Sequence, residues 1–204
     1  IGCVGQHLEQ GKNLGRLSAM LADYPESVPA VTINRLCGSS LSAFNIATAN
    51  LHAGQDHLVL AGGVEHMHHV AMLAGIDYHE ALVKKYEFPF NNMGLTAEKV
   101  AKKYDISRQE QDEFALQSHL KAVEAQKAGF FDQEIIPVQT DEGLISKDQC
   151  PRANSSLEKL GELKTPFLEG GTVTAGNSSP LNDGASLTCL ASKKGYEELE
   201  LRPR

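Results

Sequence analysis

Apolar and polar positions change period several times along the chain, and each change marks an element. Val28 to Ile33 (VPAVTI) is apolar and rich in β-branched residues, with Pro29 near its start where a strand need not donate to its neighbour, so it predicts a strand. Apolar residues then recur at Leu41, Phe44, Ala47 and Leu51, at spacings of three and four, and predict a helix running to Ala53 and closed by Gly54. His57 to Ala61 is a second apolar run, stopped by Gly62-Gly63. Strand, helix, short loop and strand in that order read as a βαβ unit, which predicts an α/β fold with a parallel sheet and helices packed on it. Ile1-Gly2-Cys3-Val4-Gly5 reads as the end of a buried strand rather than a loose terminus, and Ile1 is not an initiator Met, so further sequence is expected upstream.

From His66 to about Asn92 the period is lost, and the segment is read mostly as loop. Order returns at Gly94. Leu95 to Tyr104 predicts one helix, and Ser107 with Glu110 forms a capping-box signature in front of a second, from Arg108 to Ala128, stopped by Gly129. Glu134 to Val138 is a short strand candidate, whereas Gln139 to Thr165 is polar and expected on the surface. Gly170 to Ala185 (GGTVTAGNSSPLNDGA) is dense in small and turn-forming residues, which let backbone approach a ligand closely. Leu187 to Ala191 predicts a strand returning to the first sheet, and a helix starts at Lys193.

Composition narrows the function. A chain of 204 residues, 41% hydrophobic, can bury one good core and an appended subdomain. A formal charge of −7, from 19 Lys and Arg against 26 Asp and Glu, argues against a broad nucleic-acid surface but leaves room for a local phosphate pocket. The four cysteines, Cys3, Cys37, Cys150 and Cys189, are far apart and form no CxxC pair, which suits reduced thiols in a cytoplasmic compartment. No apolar run approaches the roughly 18 residues that span a membrane.

The candidate chemistry centres on Cys37. It sits where the predicted strand gives way to the predicted helix, so unpaired backbone N–H groups and the positive end of the helix dipole favour thiolate over thiol. A cysteine in an apolar stretch also has a bland reading, as a small buried hydrophobe. The neighbours Asn34-Arg35 and Gly38-Ser39-Ser40 favour chemistry, since a structural cysteine does not need them. His66, His68, His69 and His79 crowd one segment, but no cysteine or carboxylate stands nearby at ligand spacing, and the group is read as scattered polar contacts with no metal.

Asn34-Arg35-Leu36-Cys37-Gly38-Ser39-Ser40 resembles the active-site motif of thiolases, and Gly62-Gly63-Val64-Glu65-His66-Met67 resembles the segment that follows it in that family. Met93 to Glu98, Ser107 to Asp112, Gly171 to Asn177 and Asn182 to Ala185 are similar to the family's helical loop domain and its exit, in the same order. Gly38-Ser39-Ser40 and the run Val64 to Met72 look most like the thiolase subunit of bacterial fatty-acid oxidation complexes. The resemblance implies a thiolase-like layered α/β fold. Residues 1–67 would be part of the N-terminal domain with the nucleophile, 68–177 an inserted helical loop domain that binds CoA, and 178–204 the return to the first domain. Ketoacyl synthases of the same superfamily also place a cysteine at a helix start. The helical insertion from Met93 to Ala128 and the Gly171 to Asn177 motif favour thiolases.

What the resemblance implies for activity is a ping-pong reaction at one thiol. Cys37 would attack the keto carbonyl of a 3-ketoacyl-CoA, acetyl-CoA would leave, and a second CoA would collect the shortened acyl group. Coenzyme A is then a substrate, and no cofactor or metal is needed. Arg152 would meet the polar side of CoA, Met93, Phe167 and Ala175 its pantetheine arm, and Ser179 an amide of that arm. Asn92 stands where some members have a histidine. A homodimer, and assembly with a multifunctional fatty-acid oxidation subunit, are implied as well. A working member also uses a histidine in Gly-His-Pro, a second cysteine in Cys-x-Gly and an Asn-Glu-Ala-Phe segment; these are expected beyond Arg204, and Cys150 and Cys189 match neither family cysteine. The 204 residues alone are therefore expected to be inactive.

Overall fold

The computed structural model describes residues 1–86 and 92–200. Its helices and strands, in chain order, are α1 (Leu14–Leu21), α2 (Ser39–His52), β1 (Leu58–Glu65), α3 (Glu80–Lys85), α4 (Met93–Tyr104), α5 (Arg108–Lys127), β2 (Val138–Thr140), β3 (Gly143–Ile145), α6 (Leu157–Gly161), β4 (Gly184–Ala191) and α7 (Lys193–Glu198), with a single 3-10 turn at Leu8–Gln10. The chain divides into two compact units, one made of Ile1–Asp77 with Leu181–Arg204 and the other of Tyr78–Pro180. Residues 87–91 of the expected loop and 201–204 of the returning segment lie outside the described residues.

In the first unit the Ile1–Cys3 segment is the middle of the sheet. Gly2 bridges Ile33 on one side and Gly63 on the other, both in parallel register, through Cys3 N–H to Ile33 O at 3.0 Å and Gly2 N–H to Gly62 O at 2.8 Å. The first strand candidate is thus extended but contributes only a bridge at Ile33, and it is separated from β1 by residues 1–3. β4 pairs with the far edge of β1 over its whole length in antiparallel register, from Leu58↔Ala191 to Glu65↔Gly184. The sheet is therefore mixed rather than purely parallel, because the returning strand runs against β1.

β1 continues through Gly62-Gly63, where the apolar pattern predicts a stop. The glycines are there for close approach. A Cβ on Gly62 would overlap Ser186 O of β4, and one on Gly63 would overlap Ser40 Oγ of α2. The expected helix forms, but its buried face differs from the expected one. Ser39, Ser42, Ala43 and Ala47 are buried, whereas Leu41 is 65% exposed and Phe44 39%. Small side chains let the helix lie close on the glycine-bearing strand, and that geometry outweighs burial of the larger residues.

The second unit is mainly helical. Ser107 and Glu110 cap α5 reciprocally, with Ser107 N–H donating to Glu110 Oε2 at 2.8 Å and Glu110 N–H to Ser107 Oγ at 3.2 Å. Asn92 caps α4 by accepting Leu95 N–H at 3.0 Å, and Asp105 ends that helix in the left-handed region at φ 53°. The strand expected over 134–138 forms instead at Val138–Thr140 and pairs with β3 as a tight hairpin. α3 occupies part of the segment read as loop, and α6 part of the polar surface stretch. No helix among the described residues is long and apolar enough to cross a membrane.

Candidate functional site

Cys37 is exposed, which rules out its reading as a buried hydrophobe. It lies between Leu36, a leucine held in the left-handed region at φ 48°, and Gly38, the N-cap of α2. Asn34 accepts the Leu36 N–H at 3.0 Å, Gly38 N–H donates to Arg35 O at 3.1 Å, and Ser39 N–H to Leu36 O at 2.9 Å. The Ser39 hydroxyl donates to Leu36 O at 2.6 Å and accepts the Arg35 N–H at 2.8 Å. Asn34 Nδ2 donates to Val4 O at 3.2 Å and so ties the loop to the sheet. The loop is cross-braced on every side of the cysteine, and the bracing holds a backbone conformation that leucine avoids. Gly38 offers no side chain to cap the first turn of α2, and Cys37 directly precedes it.

A half-buried carboxylate organises the backbone behind this loop. Glu65, at the end of β1, accepts the N–H groups of Val4 and Gly5. Beside it, burial first and the Glu65 charge second push the Cys3 thiol up to about 11. The triplet Cys3-Val4-Gly5 has the bare Cys-x-Gly spacing of the family's second cysteine. With 1% of its surface exposed, Cys3 is no accessible acid or base in this structure.

All five residues singled out for CoA, Met93, Arg152, Phe167, Ala175 and Ser179, belong to the second unit, and Cys37 to the first. Met93 is 66% exposed at the start of α4, and Phe167 packs its ring where a Cβ on Gly94 would have to be. Arg152 donates its backbone N–H to His119 Nδ1 at 3.2 Å. Ala175 and Ser179 are exposed in the glycine-rich loop. That loop is shaped from beneath by two buried acids that sequence reasoning missed. Glu98 accepts Thr172 N–H at 2.8 Å and Val173 N–H at 2.7 Å. Asp112 pairs with Arg108 at 2.7 Å and accepts from Asn177 Nδ2 at 2.9 Å, while Asn177 Oδ1 accepts Thr174 N–H at 2.7 Å. A carboxylate inside a polar helix pattern looks solvated in sequence; only the missing Cβ at Gly171, which would overlap Glu98, hints otherwise.

The histidine segment also acquires an acid that was not visible locally. Glu9, far away in sequence, reaches both His66 and His69, and hydrogen bonds from His69, its own backbone and His66 hold its carboxyl down to about 2. His68 contributes its backbone N–H, to Asp183 at 2.8 Å, and His79 caps α3 in the other unit. No disulfide joins two cysteines among the described residues.

Known proteins resemble the chain throughout. A family described as Thiolase, N-terminal domain, matches residues 1–194. The 3-ketoacyl-CoA thiolase of Chromohalobacter salexigens is 45% identical over 208 residues, covering 99% of this chain and 53% of the relative. That of Serratia proteamaculans is 46% identical over 209 residues, covering 100% and 54%. The acetyl-CoA acetyltransferase structure from Bacillus anthracis superposes with a TM-score of 0.81 at 36% identity, covering 100% of this chain and 55% of that one. The acetyl-CoA acetyltransferase structure from Syntrophomonas wolfei gives 0.84 at 34%, covering 99% and 54%. The chain spans about half the length of the curated relatives it matches.

Proposed function

The chain belongs to the thiolase family, and on that footing we propose that it carries the nucleophile of a 3-ketoacyl-CoA thiolase, with Cys37 as the attacking thiol. The observation that carries the reading is the placement of Cys37: exposed, braced by its neighbours, and directly before the N-cap of α2. The sulfur adds to the 3-keto carbonyl, the bond between the α and β carbons breaks with the electron pair going to the acetyl-CoA enolate, and a proton completes acetyl-CoA. The acyl-cysteine is then attacked by a second CoA thiol, which releases the shortened acyl-CoA and restores Cys37. Backbone N–H groups stabilise the oxyanion formed at each addition. The reverse sequence is the condensation.

Met93, Arg152, Phe167, Ala175 and Ser179 are assigned to CoA, Arg152 at its polar side and the others along the pantetheine arm. CoA enters as substrate, and the covalent cycle uses no redox cofactor. We assign the protein to fatty-acid oxidation in the cytoplasm, as a homodimer working with a multifunctional oxidation subunit. The names of the relatives support the acyl-CoA chemistry.

The decisive experiment uses the intact protein that carries this chain. Cys37→Ala is expected to abolish CoA-dependent cleavage of a 3-ketoacyl-CoA, by at least about a thousandfold, and mass spectrometry of the parent quenched during turnover is expected to find the acyl group on Cys37. Parental turnover in the alanine variant would remove Cys37 from the reaction. A second reading rests on the motif content: no histidine in a Gly-His-Pro triplet occurs among these residues. The 204 residues alone are accordingly expected to show negligible turnover, and robust cleavage by a chain of verified mass 22.1 kDa would refute that.

A further inference from the structure

His66 is the first residue after β1, and the backbone there turns once, with Val70 N–H donating to His66 O at 2.9 Å. That turn brings His69 beside His66, their ring centroids 5.7 Å apart and tilted by 51°. The Nδ1 atoms of both rings point to the same carboxylate oxygen, Glu9 Oε1, each at 2.7 Å. One ligand atom from each of Glu9, His66 and His69 lies within 4.8 Å of the other two.

The group is held from behind. The His66 N–H donates to the side chain of Gln10, which is 2% exposed and donates in turn to Gly5 O at 2.8 Å. Val70, 3% exposed, closes the turn and is buried. On the far side of His66, Nε2 lies 3.7 Å from Asp183 Oδ2, and Asp183 is itself fixed by accepting the His68 N–H at 2.8 Å.

We propose that Glu9, His66 and His69 bind a divalent transition-metal ion of the Zn²⁺ class, with Asp183 orienting His66 and solvent completing the coordination. Two imidazole nitrogens and one carboxylate oxygen suit a borderline ion of this kind, whereas Mg²⁺ and Ca²⁺ prefer all-oxygen shells. A carboxylate hydrogen-bonded to the distal nitrogen of a ligating histidine is the usual outer-shell arrangement, and Asp183, now 3.7 Å away, closes on His66 to take that place. In a tetrahedral site with bonds of roughly 2.0–2.1 Å the ligand atoms stand about 3.3 Å apart. The two Glu9–His contacts, each 2.7 Å, therefore lengthen by about half an ångström on binding, a rotation available to Glu9 and His69 side chains that are 42% and 62% exposed. The ion ties the 3-10 turn at Leu8–Gln10 to the end of β1, takes no part in the covalent chemistry at Cys37, and does not depend on the proposed reaction.

The test is a titration of the intact protein, stripped with chelator, with Co²⁺ alone and then with Zn²⁺. One equivalent of Co²⁺ is expected, giving visible ligand-field bands without an intense thiolate charge-transfer band, and Zn²⁺ displaces it. His69→Ala and Glu9→Gln are expected to weaken binding by more than about 100-fold, and Asp183→Asn by about 10–100-fold; His52→Ala leaves it unchanged. Zn²⁺ raises the Tm of the parent but not of His69→Ala. Should Glu9→Gln fail to fold, the more exposed His69→Ala carries the same test. Absence of saturable binding, binding unchanged in His69→Ala, or a thiolate band from the bound Co²⁺ would each overturn the proposal.

Discussion

Ser40 rests on Gly63 so closely that a methyl group on the glycine would overlap the serine Oγ and come within 3.2 Å of its Cβ. This contact sets how near the start of α2, and with it Cys37, lies to β1. Gly63→Ala is expected to cost about 2–3 kcal/mol in urea unfolding, and Ser40→Gly about 1 kcal/mol. The double variant should cost clearly less than the sum of the two, because the overlap with Ser40 is then gone and only the tight approach to Gly2 O at 3.1 Å remains. Strict additivity would show that Gly63 is needed for some other reason.

Leu36, at φ 48°, is held in the left-handed region by its neighbours' hydrogen bonds. Leu36→Val, which adds β-branching to an already disfavoured backbone, is expected to lose about 1–2 kcal/mol. Leu36→Gly should stay within about 1 kcal/mol of the parent, since the side chain is 68% exposed and glycine adopts this φ freely. Equal losses in both variants would put side-chain contacts, not backbone, in control.

Glu98 gathers three donors of the glycine-rich loop, two amides and the Thr172 hydroxyl, at 2.7–3.0 Å. Glu98→Ala leaves them unpaired in a buried place and is expected to cost about 3 kcal/mol, against about 1–2 kcal/mol for Glu98→Gln. The sharper readout is hydrogen exchange at Thr172 and Val173, whose amides should lose protection in the alanine variant. Retained protection would mean that the loop is held by Asn177 and Asp112 instead.

What the sequence made legible follows from what can be read locally. The end of α2 before Gly54, the capping box at Ser107, and a cysteine directly before a helix are all encoded within a few residues, and all are present. The misreadings involve partners distant along the chain. Gly62-Gly63 looks like a terminator until β4 and Ser40 arrive on its two sides. The buried face of α2 looks as if it should carry Leu41 and Phe44 until the glycines opposite reward Ser39, Ala43 and Ala47. Glu9 is separated from His66 by most of the first unit, so no spacing rule could join them, and Glu98 and Asp112 resemble solvated helix charges until the loop folds over them.

Cys3 provides a pH dependence whose sign is fixed. Its thiol rises from 9.0 to about 11 on folding, so the folded state holds the proton more tightly. The associated stability is complete below pH 9 and is lost as pH climbs toward about 11. Unfolding midpoints measured across that window should fall less steeply in Cys3→Ala than in the parent. Below pH 9, native protein should also leave Cys3 unalkylated by iodoacetamide while denatured protein does not; rapid native alkylation would contradict its burial.

The antiparallel pairing of β1 with β4 joins strands more than a hundred residues apart in sequence. During synthesis, β1 leaves the ribosome with one edge unsatisfied and waits while the whole second unit is translated. The contacts of the intervening helices, such as Glu98 with Thr172 and Asp112 with Asn177, are completed before β4 emerges, whereas closure of the sheet is a later, longer-range event. In that interval the open edge of β1 is the segment most exposed to mispairing with another nascent chain. The arrival of β4 ends this vulnerable period, so slowing or truncating translation before Gly184 should increase aggregation more than the same perturbation after Ala191.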